Sequence, residues 1–240
     1  MKKNIYFLFI ISLLIFSSCK KSNSTSPSST QSSTTPYCFL TALRSFSYSM
    51  GTLTFNANNA YAEFRSDINN ISTDMQIGSV SVGGKGLKFL SGSKTYSDTT
   101  YSLNIIPTTW QIVGAGPIPS YTYTNNDSLP GYTGYTILPD TIYKNQTLNV
   151  QINGISGANS VEVSFYNNIG PVNIFKMKST GISSNNTFSF SVSDLAPLPV
   201  GSSYPTLMMV SVFKDNYQHV GNVTFSFASQ LEINKQVYIK

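Results

Sequence analysis

The chain has 240 residues, of which 10% are charged, 40% hydrophobic and 13% aromatic, with a formal charge of +5. Intrinsic disorder is excluded, because it needs high net charge and few aromatic residues. Three Glu and two Arg against abundant Ser, Thr, Asn and Tyr also exclude helical repeats and coiled coils, and point to an all-β protein.

Lys2 and Lys3, the apolar run from Ile5 to Phe16, and Ser17 and Ser18 read as a secretory signal over residues 1–18. The run is shorter than the about 20 apolar residues that span a bilayer. Phe16-Ser17-Ser18-Cys19 resembles the lipobox of bacterial lipoproteins, with Phe16 where that pattern prefers Leu, Val or Ile. The resemblance implies cleavage before Cys19 and a lipid anchor on its sulfur. Residues 19–36 then read as the anchored Cys and a tether: of the 17 residues from Lys20 to Pro36, 11 are Ser or Thr and none is apolar. As a flexible coil it spans roughly 20 to 25 Å on average.

Lys2, Lys3, Lys20 and Lys21 are four of the 15 basic residues and account for most of the net +5, because from Tyr37 onward 11 basic residues face 10 acidic ones. The basic balance therefore belongs to targeting, and nucleic acid is not an expected partner. If Cys19 carries lipid, Cys38 has no disulfide partner. Within Tyr37-Cys38-Phe39-Leu40 it reads as a small buried hydrophobe.

The first half offers short alternating strands: Phe39 to Tyr48, Leu53 with Phe55, Ala60 to Phe64, Val80 with Val82, Leu87 with Phe89, Tyr101 with Leu103 and Ile105, and Trp110 with Ile112. Gly83-Gly84-Lys85-Gly86 reads as a hairpin loop, since it lacks the second glycine, the Lys-Ser/Thr pair and the helix of a phosphate loop. Lys85, Lys88 and Lys94 read as solvated lysines that keep a strand edge soluble. Gly114 to Pro139, rich in Pro, Gly and Tyr, reads as a boundary. Beyond it come Leu148 to Ile152, Val161 to Phe165, Phe188 to Val192, Leu207 to Phe213, Val223 to Phe227 and Leu231 to Ile239, with turns at Asn153-Gly154 and Ile169-Gly170-Pro171. The expected architecture is two tandem antiparallel β-sandwich (Ig-like) domains, 37–126 and 127–240.

The leader, the tether, Gly78-Ser79-Val80-Ser81-Val82-Gly83 and Leu138-Pro139-Asp140-Thr141-Ile142 together resemble cell-envelope lipoproteins of Bacteroidetes. That group implies an address, with the outer membrane of the cell envelope as the site of anchoring, and carries over no reaction. Surface-exported members often have acidic residues after the lipidated Cys, where this chain has Lys20 and Lys21, so the membrane face stays open. The same resemblance implies O-glycosylation at Asp followed by Ser or Thr and an aliphatic residue or Thr. The matching sequences place it at Thr99, Ser128 and Thr141.

Catalysis finds little material. His219 is the sole histidine and reads as a solvent-facing hairpin residue, and no serine sits in a Gly-x-Ser-x-Gly elbow. One His and one free Cys fall short of a zinc site. Among Glu63, Glu162 and Glu232, Glu162 is expected on an exposed strand face, which argues against paired catalytic carboxylates. Asp67-Ile68-Asn69-Asn70 with Asp74 matches no calcium loop and reads as a polar turn. No enzyme, cofactor or metal is expected, and Trp110 is assigned to the core. Tyr121, Tyr123, Tyr132 and Tyr135 are the candidate binding residues, because tyrosine rings offer rigid apolar area with a hydroxyl handle. The expected function is a non-catalytic structural or interaction module of the cell envelope. Alternatives are a glycan-binding surface lipoprotein of a nutrient-uptake system, and an adhesin or assembly subunit adding strands at sheet edges.

Overall fold

The computed structural model describes residues 35–98, 100, 103, 107–167, 174–182, 186–201 and 206–240. The leader, Cys19, the tether as far as Thr34, Thr99, and the turn at Ile169-Gly170-Pro171 lie outside these residues.

The chain is all-β, built from several stacked and mainly antiparallel sheets. Tyr37–Ser49 (β1) and Thr52–Arg65 (β2) form a long hairpin. Val80–Val82 (β3) turns through Gly83 and Gly84, at φ 56° and 79°, into Lys85–Gly86 (β4). Both central residues of that two-residue turn need positive φ, which glycine adopts at no steric cost. Lys88–Leu90 (β5), Thr95–Ser97 (β6), Thr108–Ile112 (β7) and Tyr121–Asn125 (β8) follow. Then come Gly131–Tyr132 (β9), Thr141–Ile142 (β10), Leu148–Ile152 (β11), Ile155–Ser156 (β12), Ser160–Asn167 (β13), Ile174–Gly181 (β14) and Asn186–Phe190 (β15). A single helical turn, Val192–Leu195 (α1), is closed by a capping box between Ser191 and Asp194. Thr206–Val220 (β16) and Val223–Ile239 (β17) complete the fold as a 15- and 17-residue hairpin.

The largest sheet runs β14-β13-β16-β17-β1-β2-β6-β5, with β10 also on β17. Smaller sheets run β4-β3-β7-β8, β11-β15 and β12-β9. Two pairings depart from the expected antiparallel pattern: β1 lies parallel to β17 from Tyr37↔Thr224 to Tyr48↔Lys235, and β10 lies parallel to it at Thr141↔Tyr238.

Two apolar cores form. In the first, Leu40, Phe64, Trp110 and Ile118 pack with Phe225 and Phe227. In the second, Phe165, Phe190 and Val210 pack with Leu231 and Ile233. The expected division at residue 126 therefore needs correction. β17 begins in the first core and ends in the second, and one continuous sheet serves both. The physical reason is strand length: an alternating run of 17 residues reaches about 55 Å at about 3.3 Å per residue, farther than one sandwich. Asn125 Nδ2 donates to Ser229 Oγ at 3.1 Å where β17 passes between the cores.

Candidate functional site

Side chains alternate along a strand, so Leu231 and Ile233 face the second core while Gln230, Glu232 and Asn234 face the other side of the large sheet. Register aligns a row across that side: Glu162 on β13, Ser211 on β16, Glu232 on β17, Ser45 on β1 and Ala57 on β2. Adjacent strands lie about 4.8 Å apart, so the two glutamates are separated by one intervening strand.

This row is the densest polar chemistry among the described residues. Ser45 Oγ donates to Glu232 Oε1 at 3.2 Å, and Asn234 Nδ2 donates to the same oxygen at 2.6 Å. Tyr166 donates to Asn234 Oδ1. One row away, Tyr61 donates to Gln230 Oε1 at 3.2 Å, and Gln230 Nε2 donates to Ser211 Oγ at 3.1 Å. Ser164 Oγ and Asn59 Nδ2 are buried on the same side without a partner among the described residues.

The expectation of an exposed Glu162 is corrected here: it is 7% exposed, and Glu232 is 8% exposed. The difference arises because this face of the large sheet is covered and not solvated: Ser164, Ser211, Gln230, Asn234, Ser45 and Asn59 on the same side are buried as well. Burial pushes the Glu162 carboxyl up to about 7, with the neighbouring Glu232 adding to the shift. Glu232 also rises by burial, while bonds from Asn234 and Ser45 oppose the change. A carboxyl that titrates near neutrality suits proton transfer. Here, however, the glutamates are enclosed, and one Glu232 oxygen is committed to Ser45 and Asn234, so the arrangement joins strands β1 and β17.

A second buried cluster closes one end of β2. Arg65 contacts Glu63, pairs through Nε with Asp74 Oδ1 at 2.8 Å, and lies 5.1 Å from the centroid of the Phe39 ring. The polar turn before Asp74 is spent on its own backbone: Asp67 Oδ1 accepts the Asn69 N–H, and Asn70 Oδ1 accepts the Ser72 N–H.

The four candidate tyrosines are divided between the cores. Tyr123 stacks on Phe227 with centroids 4.0 Å apart, and Tyr121 lies 5.0 Å from Phe225. Tyr132 is buried in the second core, and Tyr135 packs beside it and Tyr48. Trp110 and Cys38 are both buried in the first core, and burial drives the Cys38 thiol well above its ordinary range. His219 is exposed near the β16-β17 turn, where Nδ1 lies 3.0 Å from Thr224 Oγ1. Ser128 is exposed, whereas Thr141 is half-buried in β10. Asp140 beside it pairs with the buried Lys235 at 2.8 Å.

The sequence reading missed Glu232, Asn234 and Ser45 as one group. Polar residues at alternate positions ordinarily mark a solvated face, and only the length and central place of β17 signal otherwise. No protein family, curated protein or solved structure matches the chain.

Proposed function

We propose that the protein is a lipid-anchored, non-catalytic structural or interaction module of the bacterial cell envelope, held at the outer membrane through Cys19. The observation that carries this reading is the order Phe16-Ser17-Ser18-Cys19 followed by 17 residues without an apolar side chain. The first described strand follows directly on that segment. Pro36 O accepts the Thr224 N–H at 3.2 Å, and Tyr37 opens a strand paired on both sides. An anchor attached there transmits tension into the middle of the largest sheet, which suits a module that holds or displays a partner. Engagement of Glu232 by Ser45 and Asn234 supports a structural use of the central carboxylates. Exposure of Ser128 beside Asp127 favours it over the half-buried Thr141 as a glycosylation position.

Mass spectrometry and detergent partitioning of the native protein beside a Cys19→Ala variant test the anchor. Acyl mass on Cys19 and detergent-phase recovery, both lost in the variant, are expected. A native protein without acyl mass that stays in the aqueous phase overturns the reading. Protease shaving of intact cells then assigns the membrane face.

A further inference from the structure

Among the described residues the two larger sheets have four outer strands, and three of them contain lysine: Lys178 in β14, Lys88 in β5, and Lys85 in β4. Lysine on an edge strand opposes pairing with another chain. The fourth, β8, reads Tyr121-Thr122-Tyr123-Thr124-Asn125, with neither charge nor proline. Its pairing with β7 runs unbroken from Thr108↔Asn125 to Ile112↔Tyr121, so no bulge disrupts the strand. Thr122 and Thr124 are exposed, and Tyr121 and Tyr123 remain half-buried although their rings pack on Phe225 and Phe227.

We propose that β8 is a self-association edge, at which a second copy of this chain adds its own β8 antiparallel to the first. The strand is complementary to itself. Centring the pair on Tyr123 aligns all five residues, placing Thr122 opposite Thr124 of the second copy twice and Tyr121 opposite Asn125 twice. The sheet already contains the threonine contact that this arrangement repeats, because Thr109 Oγ1 and Thr124 Oγ1 lie 3.0 Å apart across β7 and β8. Cross-strand threonine pairs of this kind stabilise antiparallel sheets. The four-stranded sheets of two copies become one eight-stranded sheet, and both open edges are closed.

A five-residue pairing is smaller than the about 1,200 Å² typical of stable complexes, so association is weak in dilute solution and increases where copies are concentrated. Membrane anchoring supplies such concentration, but the pairing does not depend on it.

The test uses full chains carrying Cys19→Ala, one with Thr122→Cys and the other with Thr124→Cys, oxidised separately and as a mixture. Directly opposed positions come within disulfide reach, whereas diagonal ones lie about 7–8 Å apart and do not. Cross-linked dimer in the mixture, with loss of that band in either variant alone, is expected. Absence of the band from the mixture, or equal bands in all three samples, overturns the proposal. Sedimentation velocity of the Cys19→Ala chain at rising concentration provides the second measurement. Association lost on adding Thr122→Lys supports the β8 edge, and a monomer throughout or association unchanged by that substitution refutes it.

Discussion

Glu162 shows how a single residue can couple the sheet to pH. Its carboxyl titrates at about 7 in the folded chain, against about 4.3 when unfolded. Between those values the folded state binds the extra proton, so the contribution of Glu162 to stability is greatest below about pH 4.3, falls as pH rises, and levels off above about 7. The shift corresponds to roughly 4 kcal/mol. Glutamine keeps the shape and cannot ionise. Glu162→Gln is therefore expected to gain stability relative to the native chain at pH 8 and to match it near pH 4, as read from urea melts across that range. Parallel stability curves for the two chains would remove Glu162 as the source. The partner positions could not be read from sequence, because Glu162 and Glu232 come into one row only through a register that passes from β13 to β17 across β16.

At the scale of elements, the hairpins were the most legible features and their ends the least. Gly83-Gly84 announced a turn after β3 because local chemistry sets it, but Lys85–Gly86, expected in the loop, form the returning strand, and Lys88–Leu90 pairs with β6 in the large sheet instead of with β3. The β1-β2 turn gave a weaker signal, since one of its two central residues is Met50, at φ 50° and 96% exposed, followed by Gly51 at φ 80°. A methionine side chain gains no contact there to offset the left-handed backbone. Met50→Asn is expected to raise stability by about 0.5–1 kcal/mol, because asparagine tolerates that conformation better. A thermal melt that moves down or stays in place would contradict the argument. Leu53 with Phe55 and Ala60 to Phe64 read as separate strands for a related reason. The register irregularity opposite Ser45 and Phe46 interrupts the alternation, although β2 continues through it. β8 was missed as a strand because its tyrosines and threonines lie in a Pro- and Gly-rich stretch that resembles a linker.

The whole molecule depends on pairings that sequence periodicity does not encode. Alternation identified Val223 to Phe227 and Leu231 to Ile239 as strands, but nothing local states that they are one strand or that it lies beside β1. That contact joins the start of the folded chain to its last strand and makes the two cores neighbours on one sheet. Phe227, 1% exposed, belongs to the first core although it lies a hundred residues beyond the expected boundary at 126. Phe227→Ala removes a buried ring stacked on Tyr123 and is expected to cost about 3–5 kcal/mol. Trp110, the sole tryptophan, sits in that same core and reports its opening by fluorescence, while far-UV circular dichroism reports the strands of both cores. With β17 shared, the two signals are expected to shift together in the variant, as one cooperative transition. If Trp110 fluorescence melts first and half of the dichroism persists to the native temperature, the cores are independent units and the shared strand does not couple them.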